Sequence, residues 1–187
     1  MKRNILAALL ALTLLLGLVL PAAAEEVQDA PSDVETIRIA SAEEFLTFAN
    51  NCVLDSWSQN KQVLLTADIS LEGTEFASIP TFGGSFDGGG HTISGLSLTQ
   101  NLSPAGLFGI LQPTAVVKNL TVQGIVTPGG DGLSVGGVAG ENYGTVENGT
   151  FIGTVVGKTN TGGIAGMNYG TLRACRAEGN VTGDNRT

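Results

Sequence analysis

Basic residues are scarce: nine lysines and arginines stand against seventeen acids in 187 residues, a formal charge of −8. Phosphate recognition needs clustered Lys and Arg, so nucleic acid and anionic lipid are excluded as partners. Charged residues make up only 14% of the chain, too few for the charged faces of a heptad coiled coil. One histidine and two cysteines, with no C-x-x-C, leave no zinc site to assemble, and no metal or cofactor is expected. Cys52 and Cys175 lie far apart in sequence and are expected as two buried, unbridged thiols.

Long hydrophobic runs are also lacking, with one exception at the start. Lys2 and Arg3 precede an apolar stretch from Ile5 to Leu20, followed by Pro21-Ala22-Ala23-Ala24 and two glutamates. Sixteen residues fall short of the ~20 that span a bilayer. A basic head, a greasy middle and an A-x-A end are the parts of a secretory signal peptide, so residues 1–24 are read as one, cleaved after Ala24. The expected location is extracellular or at the cell surface, with no membrane span in the mature chain.

Between residues 25 and 72 there is no glycine, and ten acids stand against two bases. From Gly73 onward there are twenty-six glycines in 115 residues. Two composition regimes imply two kinds of structure, and the glycine-rich one carries an internal repeat. Gly136-Gly137-Val138-Ala139-Gly140-Glu141-Asn142-Tyr143-Gly144-Thr145 returns twenty-six residues later as Gly162-Gly163-Ile164-Ala165-Gly166-Met167-Asn168-Tyr169-Gly170-Thr171. Over 136–157, eleven of twenty-two positions are identical to the next copy. Looser copies lie upstream, at Gly106-Leu107-Phe108-Gly109 with Lys118–Gly124, and at Phe86–Leu98. That makes about four coils.

A period in the twenties, short alternating apolar pairs and glycine punctuation describe strands too short to stand alone. Stacked on their own copies they pair in register, each coil ~4.8 Å above the last, as a parallel β-solenoid. Inward side chains should then form columns: Leu107, Val138 and Ile164; Val117, Val146 and Leu172; Leu120, Gly149 and Cys175. Asn142 and Asn168 should stack as an amide ladder and tolerate a left-handed backbone at the corner. Glu147 lies one rung below Arg173 and should pair with it.

The pattern G-G-x-x-G-x-N-x-G-T, with its x-G-x-V-x-G tail, resembles the GLUG repeat of bacterial secreted and surface proteins. The residues that carry it are Gly136, Gly137, Gly140, Asn142 and Gly144, and their counterparts Gly162, Gly163, Gly166, Asn168 and Gly170. The likeness covers residues 106–187 well and 86–105 loosely. It implies a right-handed parallel β-helix and leaves the activity open.

The remaining regime reads as a leader and a cap. Residues 25–36 are acidic and without period, which predicts disorder. Residues 37–85 predict a strand–helix–strand cap ahead of coils at 86–187. Ser41 and Glu44 form a S-x-x-E capping box, and Phe45, Phe48, Ala49, Cys52 and Val53 make one apolar helical stripe. Such a helix can cover the exposed end of a solenoid.

Several motifs approach a known chemistry without completing it. Gly153–Thr159 is one residue short of a phosphate loop. Gly129-Gly130-Asp131-Gly132-Leu133-Ser134 has Ser134 where a calcium-binding nonapeptide needs aspartate. Asp87-Gly88-Gly89-Gly90-His91-Thr92-Ile93 resembles the opening coil of many β-helix proteins, pectin-degrading enzymes among them, where it shapes a turn. The acids of the coils stack no two together, as a glycosidase pair would require.

The expected function is therefore non-catalytic: a structural or adhesive module of a larger bacterial surface protein. Its partner would be a glycan, a host matrix protein or an envelope component, or a second copy joined through the open C-terminal coil. Tyr143 and Tyr169, stacked one rung apart, are the candidate glycan contacts. The rival reading is a pectate-lyase-like carbohydrate-active enzyme whose catalytic coils lie beyond residue 187.

Overall fold

The computed structural model describes residues 34–184. Residues 1–24, read as a signal peptide, and most of residues 25–36, read as a disordered leader, lie outside them. The elements run β1 (Thr36–Ile39), α1 (Ala42–Asn51), β2 (Gln62–Leu65), β3 (Ile69–Ser70), β4 (Ile79–Phe82), β5 (Ser85–Asp87) and β6 (Thr92–Leu98). They continue as β7 (Phe108–Leu111), β8 (Val116–Val126), β9 (Val135–Gly136), β10 (Ala139–Asn142) and β11 (Thr145–Val156). The last coil holds β12 (Thr161–Gly162), β13 (Ala165–Asn168), β14 (Thr171–Arg173) and β15 (Arg176–Thr182).

Every pairing between these strands is parallel and joins one coil to the next. The largest sheet runs β1-β2-β5-β8-β11-β14, with β3, β6 and β15 attached, and a second runs β4-β7-β10-β13. The fold is a parallel β-solenoid of about five turns. The four coils counted from Phe86 are all there, and the ladder extends below them through β2 and β3, with β1 beneath β2. Val63 pairs with Phe86, and Ile69 with Ile93. The strand assigned to the cap is thus itself a rung, built without a glycine corner.

Between the last two coils the register is the twenty-six-residue one read from the repeat, and the coil below them is twenty-nine residues away. Val117 pairs with Val146 and Val146 with Leu172, while Ala139 pairs with Ala165. Leu107, Val138 and Ile164 are buried. Gly149 sits beside Leu120, and a Cβ placed on it would lie 3.7 Å from the Cys175 Sγ, so the third column holds too. Among the described residues neither cysteine is bridged. Cys52 is buried, and burial pushes its thiol up to about 12. Cys175 is only half-buried, not buried as expected, because it lies on the last described rung.

At the other end, Ser41 caps α1 by accepting the Glu44 N–H at 3.2 Å, and the Glu44 carboxylate accepts the Ala40 N–H at 2.7 Å. Phe45, Phe48, Ala49 and Cys52 are buried as a stripe. Val53 is not part of it: the helix ends at Asn51, and Val53 turns out to solvent. Phe48 meets Phe82 and Phe86 at 5.9 Å each, and both meet Phe108 at 5.4 and 5.6 Å. The helix therefore continues the aromatic core of the coils. Each such ring contact adds about 0.5–1.5 kcal/mol beyond simple burial.

The left-handed corner is not at Asn142 and Asn168, which sit at the ends of β10 and β13. It falls at Asn119, Asn148 and Ala174, with φ of 52°, 52° and 51°. An asparagine tolerates that conformation and also bonds its neighbours: Asn148 donates to the Asn119 amide oxygen, and Asn119 donates to Asp87, at 3.1 Å each. Alanine gains neither benefit. Ala174→Asn should therefore stabilise the last coil by about 1 kcal/mol, read as a higher thermal midpoint. An unchanged midpoint would mean that the corner is not left-handed.

Candidate functional site

The amide ladder positions the tyrosines. Asn142 is fully buried; its Oδ1 accepts the Gly144 N–H at 3.1 Å, and its Nδ2 donates to the Asn168 Oδ1 at 2.7 Å. With the turn held from inside, Tyr143 has nowhere to go but out. One coil later Asn168 Nδ2 donates to the Gly170 carbonyl at 3.3 Å, and Tyr169 leaves the turn in the same direction. The ring centroids are 5.0 Å apart with 13° between planes, close to the ~4.8 Å rung spacing.

Tyr143 and Tyr169 are 40% and 60% exposed. Because the rings lie face to face, each covers one face of the other. The broad surface left for an apolar sugar face is the side of Tyr169 turned away from Tyr143. The Tyr143 hydroxyl donates to Glu141 at 3.2 Å. Desolvation, and then the Glu141 carboxylate, hold its pKa above the ordinary tyrosine value, so the ring stays neutral at physiological pH. Ser134 donates to the other Glu141 oxygen at 3.1 Å, so the serine of the incomplete calcium motif is used inside the coil.

The second surface cluster is a line of charges along the large sheet. Pairing places Arg38, Leu64, Asp87, Lys118, Glu147 and Arg173 on successive rungs. Lys118 lies 3.3 Å from Asp87, and Arg173 lies 3.9 Å from Glu147, as the repeat predicted. From Asp87 onward the signs alternate. A depression of about 360 Å³ opens at the N-terminal end of this line, lined by Arg38, Gln62, Ser85, Asp87 and Lys118 among others. Desolvation works to raise the Asp87 pKa, but hydrogen bonds from Gly89 N–H, Asn119 and Lys118 outweigh it and hold the carboxyl below its usual range. Asp87 is thus a turn residue that binds nearby amides.

His91 Nδ1 lies 3.2 Å from Asp68, which also accepts the Thr92 N–H at 2.9 Å. Among the described residues no serine, threonine or cysteine side chain hydrogen-bonds to His91, so the pair lacks the nucleophile that would make it a triad. The twenty-six-residue repeat points to the Glu147–Arg173 pair but not to the Asp87–Lys118 pair beneath it, which lies across the looser coils. An alignment of outward positions across the looser coils would have shown it.

No protein-family model matches the chain. In sequence it is similar to halomucin from Haloquadratum walsbyi (strain DSM 16790 / HBSQ001), 40% identical over an alignment of 119 residues, with 54% of this chain and 1% of halomucin covered. In fold it is similar to a Bacteroides ovatus crystal structure described as "a putative immunoglobulin A1 protease", with a TM-score of 0.59 at 20% identity. That match takes in 82% of this chain and 60% of the solved one. Among the described residues no helix is long and apolar enough to cross a membrane. The chain is thus a parallel β-solenoid with a sequence relative in one short stretch of a very long protein.

Proposed function

We propose that this chain is a non-catalytic module of a larger secreted or cell-surface protein, structural or adhesive, built from GLUG-like coils. The observation that carries the reading is the halomucin match, in which a solenoid-sized stretch accounts for 1% of the relative's length. Repetition of small coils is an economical way to make such length, because each coil needs only its neighbours for stability. The stacked, exposed Tyr143–Tyr169 pair supports an adhesive role toward a glycan, with the free face of Tyr169 as contact. The signal peptide read at residues 1–24 supports export, and the GLUG resemblance supports a bacterial exterior.

The test offers the purified chain acidic and neutral polysaccharides, and immunoglobulin A1 because of the described name of the fold neighbour. Retention on one or more polysaccharides is expected, weakened about tenfold by Tyr169→Ala, the scale of one lost aromatic contact. No unsaturated or reducing ends and no antibody fragments should appear. Release of any of these would replace the reading with an enzymatic one.

A further inference from the structure

The last described coil is finished differently from the one beneath it. Val146 and Val155 are buried on β11, while their partners Leu172 and Val181 are 38% and 36% exposed. Ala177, above the buried Phe151, is exposed as well. Among the described residues β14 and β15 pair with β11 alone, so each presents a second, unpaired edge. The amide ladder stops there too, where Asn168 turns its Nδ2 to its own turn's Gly170 carbonyl instead of to an asparagine above.

We infer that this edge is the docking surface for one further parallel coil of the same repeat, following in the same polypeptide, with a carboxylate beside Arg173. The inference rests on the reading of the chain as part of a larger protein. Parallel pairing between successive strands of the large sheet is already established five times below, and a further coil continues it with the register, amide bond and apolar column of the last two coils. Burial of Leu172, Ala177 and Val181 supplies the attraction. The charge line supplies the choice of partner, since Asp87, Lys118, Glu147 and Arg173 alternate and the next position calls for an acid.

A second copy of this chain fits poorly at this edge. Stacked head to tail, it would bring Arg38 of β1 against Arg173, like charge on like charge, at an end over which α1 packs. Exposed ion pairs are weak, so the charges select register and partner more than they add strength.

The chain's own coil 136–161 meets the requirement, because it carries Glu147 at the ladder position. Since 162–187 is one full repeat, a copy of 136–161 appended after Thr187 continues the period without a linker. In the extended chain, amide exchange over 171–182 should slow by at least about tenfold relative to the parent. A second extended chain, with Glu147→Lys in the appended copy alone, should show a clearly smaller gain. Equal slowing by both copies overturns the requirement for a carboxylate, and no slowing by either overturns the docking surface. A parent chain that sediments as a dimer with 171–182 already protected makes a second copy the occupant and also overturns it. In the extended chain the tyrosine of the added coil covers the outer face of Tyr169 and presents its own. Polysaccharide retention is measured on the parent chain, which lacks that coil, so failure here is distinguishable from failure of the adhesive reading.

Discussion

Gly153→Ala is expected to destabilise the chain by about 2–5 kcal/mol, a large part of the ~5–15 kcal/mol that holds a typical domain together. Gly124, Gly153 and Gly179 stand one above another at a corner, with φ of 157°, 151° and 120°. A Cβ on Gly153 would lie 1.9 Å from the Gly124 carbonyl oxygen, and one on Gly179 would lie 2.0 Å from the Gly153 oxygen. Neither atom can retreat, because the distance between rungs is set by hydrogen bonds along the whole sheet. Two costs therefore add. Forcing an L side chain into positive φ costs roughly 1–2 kcal/mol, and the clash adds roughly 1–3 kcal/mol.

Gly73→Ala separates the two. Gly73 also has positive φ, at 74°, but a Cβ there meets nothing within 4 Å. It should lose only the conformational part, about 1–2 kcal/mol. Urea midpoints of both variants against the parent decide the matter. If they fall equally, close approach between rungs is not what the corner glycines provide.

These corners also explain what could be read from the sequence. Recurring glycines mark the places where a Cβ would strike the coil below, so the repeat stays visible where the apolar residues drift and where coil length changes from twenty-nine residues (Gly124 to Gly153) to twenty-six (Gly153 to Gly179). Once the twenty-six-residue period was fixed, the pairing of Val146 with Leu172, the Asn142–Asn168 amide bond and the Glu147–Arg173 pair all followed from counting. The rung formed by β2 and β3 was harder to see. It has the inward apolar residues Val63, Leu65 and Ile69 but no glycine corner, and apolar alternation alone does not distinguish a rung from a cap strand.

The left-handed corner was misplaced for a related reason. Two asparagines occupy it in β8 and β11, but Ala174 occupies it in the last coil, so the closest pair of repeats hides the preference. At the candidate site, the vertical stacking of Tyr143 and Tyr169 was legible because it depends on the period. Their exposure was not, because it depends on how Asn142 holds the turn from within, three hydrogen bonds that sequence spacing does not encode.

Val138→Asp tests the inward register directly. Val138 is 1% exposed, between Leu107 and Ile164 in the central column, and its N–H donates to Ile164 at 3.0 Å. The buried side chains among the described residues include no lysine, arginine or histidine that could pair with a carboxylate there. An uncompensated charge in that position should cost about 3–5 kcal/mol at neutral pH. The sign of the pH dependence follows from desolvation, which raises the carboxyl's folded-state pKa above its unfolded value near 3.9. Below pH ~4 the group is neutral in both states and the penalty is smallest. As pH climbs toward the raised folded value, the unfolded chain ionises while the folded one resists, and the penalty grows. Val138→Asn, similar in size and without a titrating group, should lose stability by an amount that does not change with pH. The loss should also be uneven along the axis, because each coil leans only on its neighbours. Amide protection should fall first over 135–182 and persist longer over 62–98, where the aromatic core and α1 hold the lower rungs. Stability that barely changes at any pH would place Val138 outside the core, and with it the register of every coil above Gly106.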